Sequence, residues 1–451
     1  MASRVALQRP GRLPLGSAGA LRFAAAVLGG GLLLAAVIDR APAVSPALVA
    51  VGAAGLAALW AFALLRYDAT VMLGVALSGF VAVQPAPTDA VLGVVIVVAL
   101  ITGRFDLARV PAWVVLLVGA FLALNAVSLG AAVSERGALA FLAVTAFVLL
   151  TAVWLAAYVD STARARGLVL AYGAAALVSA VLGIAALLAP IPGRDALLYN
   201  GCCRAEALFK DPNVFGPFLV PAVIVGLEEL LTPRLLPAGH RGLKTMALAV
   251  LCLGVLVSYS RAAWLNVAVA VFVLLVVLLL RRRGGRAAAA LLAVVVVLAG
   301  AVGGYLAVTG SEGFLRERAT VQSYDTSRFA AQTGGIGLAE HHLLGVGPGQ
   351  FDEHEPISAH SAYVRVLAEQ GVLGFVVLVA LLGGTLVLAA ANVAAGRSTY
   401  GIGSAALLAA WCGVLANSFF VDTLHWRHLW LLAGLIWAGA MRSYRLRTPY
   451  T

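Results

Sequence analysis

The sequence predicts an all-α, polytopic helical membrane protein with about 12–14 transmembrane helices and one long extracytoplasmic loop subdomain. Three observations carry this. Of 451 residues, 62% are hydrophobic and only 11% charged, with 48 glycines, far from the balance of a soluble domain. The apolar residues fall in runs, enough for roughly 14 spans at ~20 residues each. The Lys and Arg residues are distributed unevenly between alternate connections, as they are when short loops face opposite sides of a bilayer.

Taken in order, spans are expected near 21–38, 44–65, 70–84, 88–103, 111–132, 138–158, 166–190, 213–232, 243–259, 262–280, 287–308, 367–393, 402–421 and 427–441. The chain divides into a basic cytoplasmic N-terminus (1–20), spans with short loops (21–308), a long extracytoplasmic loop (309–366), C-terminal spans (367–441) and a basic cytoplasmic tail (442–451). The basic start followed by Leu21–Ile38, with Ala41-Pro42-Ala43, also has the outline of a signal peptide. The many spans that follow favour a first membrane helix instead.

An even number of spans places both termini on one side. Twenty of the 31 Lys and Arg fall there, including Arg281, Arg282, Arg283 and Arg286, with only five of the 20 acids. The positive-inside rule makes that side cytoplasmic. The net charge of +11 therefore reflects topology and contact with anionic membrane lipids. Basic residues interleaved with aromatics are absent, so nucleic acid is not an expected partner.

This orientation leaves the chemically interesting side chains outside: Arg204, Lys210, Arg261, Arg328, His360, Arg365, Arg427, and every histidine but His240. Arg204 and Lys210 flank a span start at which Asp211 caps the helix and Pro212 occupies its first turn. A helix N-terminus with two cations suits a diphosphate, although snorkelling to lipid headgroups explains the same position. Arg261 sits between two apolar runs with hardly any loop, where an unpaired guanidinium is costly and function and structural capping compete. Asp325 is a plausible N-cap for a helix running through Arg328 towards His341.

The most specific pattern is His360-Ser361, followed after nine residues by Gly371 and then Gly374. At about 100° per residue, a continuous helix brings both glycines near the histidine's direction and lets a neighbouring helix lock it. Gly345-Val346-Gly347-Pro348-Gly349 lacks the Lys-Ser/Thr of a nucleotide loop and reads as a tight turn. Glu340, His341, His342, Asp352, Glu353, His354 and Glu355 match no zinc spacing, so neither a metal nor another cofactor is expected. Cys252 and Cys412 read as packing residues within spans, and Cys202 and Cys203 as free thiols in an outer loop.

Together these motifs resemble the O-antigen ligase and O-antigen polymerase superfamily. His360, Ser361, Gly371 and Gly374 fill its long-loop motif. Arg204, Phe209, Pro212 and Asn213 match its Arg-x-x-Gly-x-Phe-x-Asn-Pro-Asn segment, with Ala207 replacing glycine and Asp211 replacing asparagine. Ser260-Arg261 and Arg328 also match. The resemblance runs from about Arg204 to Gly374; the first six spans match only in being apolar.

It implies a metal-independent, inverting glycosyltransferase. A polysaccharide would pass from a polyprenyl-diphosphate (undecaprenyl-pyrophosphate) donor to a hydroxyl of a lipid- or wall-anchored glycan acceptor, at the outer face of the bacterial cytoplasmic membrane. Arg204 and Arg261 would neutralise the leaving diphosphate, and His360 would be the general base. Substrate contacts would come from Arg328, Lys210, Asp211, Asn213, Tyr363 and Arg365, with Ser361, Gly371 and Gly374 structural. A polymerase joining carrier-linked repeats uses the same motifs. A secondary transporter or lipid flippase is the alternative of another class, and would call for ionisable groups or broken helices near the midplane.

Overall fold

The computed structural model describes residues 46–445, except 238, 281–284, 311 and 321–322. The expected first span, the basic N-terminus, the triple arginine 281–283 and most of the C-terminal tail lie outside the described residues. The sixteen described α-helices are α1 (Pro46–Leu65), α2 (Tyr67–Ala76), α3 (Pro87–Ile101), α4 (Ala112–Ser128), α5 (Glu135–Tyr158), α6 (Thr162–Leu188), α7 (Pro212–Leu231), α8 (Arg241–Val257), α9 (Arg261–Leu280), α10 (Gly285–Thr309), α11 (Glu312–Ala319), α12 (Ser323–His341), α13 (Phe351–His354), α14 (Ala362–Ala394), α15 (Ser404–Asn417) and α16 (Arg427–Arg445). A two-residue antiparallel ladder pairs Ser398–Thr399 (β1) with Ile402–Gly403 (β2).

By length and apolarity, six helical segments suit a membrane crossing: Ala112–Ala131, Glu135–Tyr158, Thr162–Leu188, Pro212–Leu231, Arg261–Leu280 and Ala362–Ala394. Shorter apolar helices lie at Ala50–Leu65, Pro87–Ile101, Gly285–Val297 and Ser404–Asn417. The chain is a polytopic helical membrane protein.

One expected span needs correction. The run 70–84 does not continue as a helix, because α2 ends at Ala76 and a single 3₁₀ turn follows over Leu77–Gly79. Gly79 lies so close to α6 that a β-carbon there would sit 2.8 Å from Ser179 Oγ. The amides of Val81 and Ala82 then donate to the carbonyl of Leu208, at 2.9 and 2.8 Å. Apolar composition alone could not reveal that this stretch braces the segment before α7.

The described chain forms two compact units. One holds residues up to Thr70 with Val94–Phe105, where Tyr67 Oη donates to the Val95 carbonyl and the Arg104 guanidinium lies over the Tyr67 ring. The other holds Val71–Gly93 and everything from Asp106 onward. Within it α9 runs along α15, α5 along α16, α7 against α8, and α14 against α4 and α12. Its largest wholly buried side chains include Trp154, Trp411, Trp430, Trp437, Phe215 and Phe218. Such rings fill the space between helices and place their indole N–H on backbone or hydroxyl oxygens, as Trp437 does with Thr385 at 2.8 Å.

The stretch 309–366 is mostly structured. It contains α11, α12 and α13, and the glycine-rich turn lies between the last two. Phe351, Ala359 and Ala368, with Leu338 and Val364 packed against them, form a small apolar core beneath it.

Candidate functional site

Arg204 sits in a loop anchored by the packing of Leu197 and Leu198 on Ala186. Its backbone carbonyl accepts from the Tyr199 amide, and the Ala205 amide donates to the Val257 carbonyl at the end of α8. The guanidinium lies over the Tyr199 ring, donates through Nε to the Ser258 carbonyl at 3.1 Å, and reaches Asn213 Oδ1 at 3.4 Å. Ala207, which stands where the resembled motif has glycine, adopts φ 50°, the left-handed conformation that favours glycine. Asp211 caps α7 as expected, accepting from the Asn213 amide at 2.7 Å with Pro212 in the first turn.

Arg261 opens α9. Ser260 caps that helix through the Ala263 amide, and a β-carbon on Gly216 of α7 would sit 2.8 Å from the Ala263 side chain. This close approach brings the first turns of α7 and α9 together. Asp325 is not the N-cap expected of it. It lies inside the first turn of α12, and both its oxygens engage the Arg261 guanidinium, one of them at 2.8 Å. Arg261 also donates to the Thr320 carbonyl at 3.1 Å.

His360 is not on the helix. Ser361 is the N-cap of α14, accepting from the Val364 amide, and His360 precedes it with φ 45°. Gly371 (φ 68°, ψ −173°) breaks the helix nine residues on. The expected single face of histidine and glycines is therefore absent, because neither His360 nor Gly371 has helical backbone. What approaches Gly371 is a loop: the Leu343 carbonyl and the Gly345 amide occupy the place a side chain would take. Gly374 faces the Gln370 side chain across the break.

The glycine-rich turn explains the break. Val346 and Gly347 donate their amides to the carbonyls of Ala368 and Glu369, each at 3.0 Å. The wholly buried Glu369 carboxylate accepts the amides of Gly349 and Phe351. Gly345, Gly347 and Gly349 all have positive φ, which is why the turn needs glycine.

Arg365, expected to face substrate, is instead buried. It is 6% exposed and its guanidinium meets Glu369 at 3.1 Å, Ser358 Oγ at 2.7 Å, Asp422 at 2.8 Å and Asp352 at 3.4 Å. Tyr363 donates to the Leu415 carbonyl and packs on Phe419. Lys210 is exposed. None of these three lines the site.

The other predicted residues converge. A cavity of about 740 Å³ is lined by Arg204, Asp211, Asn213, Arg261, Arg328 and His360, with Tyr199, Asp325, Phe329, Gln332, Ile357 and Phe420 among its further walls. The first turns of α7 and α9 and the residues just before α14 open onto it, so backbone N–H groups add positive potential to three arginines. Burial lowers the pKa of His360, and Arg328 adds to that effect more than Asp211 opposes it. Its imidazole is thus held neutral at pH 7 and able to accept a proton. The site can bind a multiply charged anion beside a neutral base.

The fold and site define a polytopic helical membrane protein with a cavity that gathers three arginines and a histidine. Residues 246–379, from α8 to the middle of α14, match the family model described as O-antigen ligase. This segment, which includes Arg261, Arg328, His360, Gly371 and Gly374, carries the likeness to the O-antigen ligase domain. No curated protein matches the chain.

Proposed function

We propose that this protein is a glycan ligase acting on a polyprenyl-diphosphate-linked donor at the outer face of a bacterial cytoplasmic membrane. The observation that carries the reading is the single cavity that gathers Arg204, Arg261, Arg328 and His360 from segments far apart in the chain. Arg204 and Arg261 take the charge that grows on the leaving diphosphate. His360 accepts the proton of the acceptor hydroxyl, whose oxygen forms the new bond to the anomeric carbon. The bond from that carbon to the diphosphate oxygen breaks with inversion, and the polyprenyl diphosphate departs with its electron pair. Arg328, Asp211 and Asn213 orient the sugars beside it. No nucleotide is required, since the carrier linkage is already activated.

The ion pairs support a two-sided arrangement. Arg109–Asp160, Arg164–Asp160 and Arg234–Glu228 join residues that the charge count assigns to the cytoplasm. Arg261–Asp325, Arg365–Asp422 and Arg427–Asp89 join residues assigned to the outside. The outer placement of the site rests on the positive-inside rule.

The test compares donor binding and transfer in purified protein. Arg204→Ala is expected to lower turnover on the order of 10²–10³-fold, with lysine a partial rescue because a point charge lacks the planar fork. His360→Ala should bind undecaprenyl diphosphate normally and fail to turn over. Native turnover in His360→Ala overturns the general-base role.

A further inference from the structure

The structure places a carboxylate on the cation that the leaving diphosphate needs. Both oxygens of Asp325 engage Arg261, and the Asp325 side chain is only 12% exposed. A guanidinium whose two prongs already hold one carboxylate cannot present the same prongs to a second anion. Any diphosphate that binds Arg261 in this fork must take Asp325's place.

Asp325 also shares its helix with two other residues of the cavity. Arg328 and Gln332 follow it on α12 at spacings of three and seven, which places all three along one helix face. Gln332 Nε2 lies 3.4 Å from the carbonyl of His360 and 3.4 Å from that of Phe419. One helix therefore touches the leaving-group cation at its first turn and the backbone of the base two turns later.

We infer that Asp325 is a displaceable counter-ion of Arg261, and that Gln332 is the positioning residue through which donor binding is felt at His360. The inference rests on the diphosphate reading above. The donor's diphosphate replaces Asp325 on Arg261, the first turn of α12 is released, and Gln332 holds His360 in the arrangement used for proton transfer. The coupling is supplied by the exchange of one anion for another on the same guanidinium, a differential contact of the kind that can shift a conformational equilibrium.

The experiment measures equilibrium binding of undecaprenyl diphosphate to the full chain in detergent, and transfer kinetics, for wild type, Arg261→Ala, Asp325→Asn, Asp325→Glu and Gln332→Ala. Asp325→Asn is expected to bind about tenfold more tightly, with a matching fall in donor KM, while Asp325→Glu stays near wild type. Gln332→Ala should lower kcat at a wild-type donor KM. In wild-type protein the lipid should speed amide exchange in the first turn of α12 and slow it around Ser358–Ala362. Equal or weaker binding by Asp325→Asn, with binding lost in Arg261→Ala, overturns the counter-ion role and leaves the diphosphate reading standing. An α12 whose exchange ignores the lipid overturns the coupling without need of any variant. Binding that is absent in wild type, or unaltered in Arg261→Ala, sinks the placement of the diphosphate itself and this inference with it.

Discussion

Glu369 Oε2 accepts the amide of Gly349 at 2.8 Å, and through Oε1 the same carboxylate meets the Arg365 guanidinium at 3.1 Å. This pairing fixes the glycine-rich turn to the first part of α14. Arg365 extends the tie to Ser358, two residues before His360, and to Asp422 in the connection between α15 and α16. His360 thus lies beside an ionic cluster, buried at Arg365 and Glu369, that does not itself line the cavity.

Removing Glu369 takes from Arg365 its most buried partner and leaves it Asp422 and Asp352. Glu369→Ala should destabilise the protein by about 1–3 kcal/mol, since the amides of Gly349 and Phe351 lose their acceptor and Arg365 its most buried partner. Glu369→Gln, which retains an acceptor for one amide, should cost less. Thermal unfolding of the purified protein in detergent ranks the two, and equal melting temperatures for wild type and Glu369→Ala contradict the assignment.

Gly371 has a backbone conformation that only glycine adopts readily, and the Leu343 carbonyl stands where its β-carbon would go. Gly371→Ala should cost about 3 kcal/mol or more, through strain and displacement of the turn together. Gly383, on the same helix with open space around it, is the internal control. Gly383→Ala should be neutral or stabilising by about 0.5–1 kcal/mol. Yield and melting temperature of the two variants separate a local requirement from a general intolerance of α14.

Burial and then Arg328 depress the pKa of His360, so the neutral form persists below the usual value near ~6.5. A base is lost when it is protonated, so activity should fall on the acid side only below that pH. Arg328→Gln removes a charge that disfavours the imidazolium and should move the acid limb upward. The pH dependence of kcat/KM in both proteins tests the sign. A limb that moves down in Arg328→Gln, or does not move, removes His360 from proton transfer.

Charge on the leaving group is assigned to arginines, so transfer should proceed in the presence of a chelator. The acidic residues around the glycine-rich turn have structural roles close by, with Asp352 on Arg365 and Glu369 on the Gly349 amide. Activity abolished by EDTA and restored by one divalent ion would reassign these carboxylates as ligands.

Much of the fold was legible in the amino-acid sequence because burial in a membrane demands long apolar runs with paired backbone groups. The helix start at Pro212 follows from the Asp211 cap and the proline beside it, which act within a few residues. Arg204, Arg261, Arg328 and His360 stand out through short motifs and through the family resemblance that those motifs carry.

Tertiary structure decided what depends on residues far apart. Gly371 reads as a helical small residue until the Leu343–Gly345 backbone is laid against it. Arg365 reads as an outward cation until Asp352, Ser358, Glu369 and Asp422 close round it. Asp325 reads as a cap until Arg261, 64 residues earlier, claims both its oxygens. Helical periodicity and capping are set by neighbours along the chain, whereas the partner of a buried charge is set by which segments meet in space.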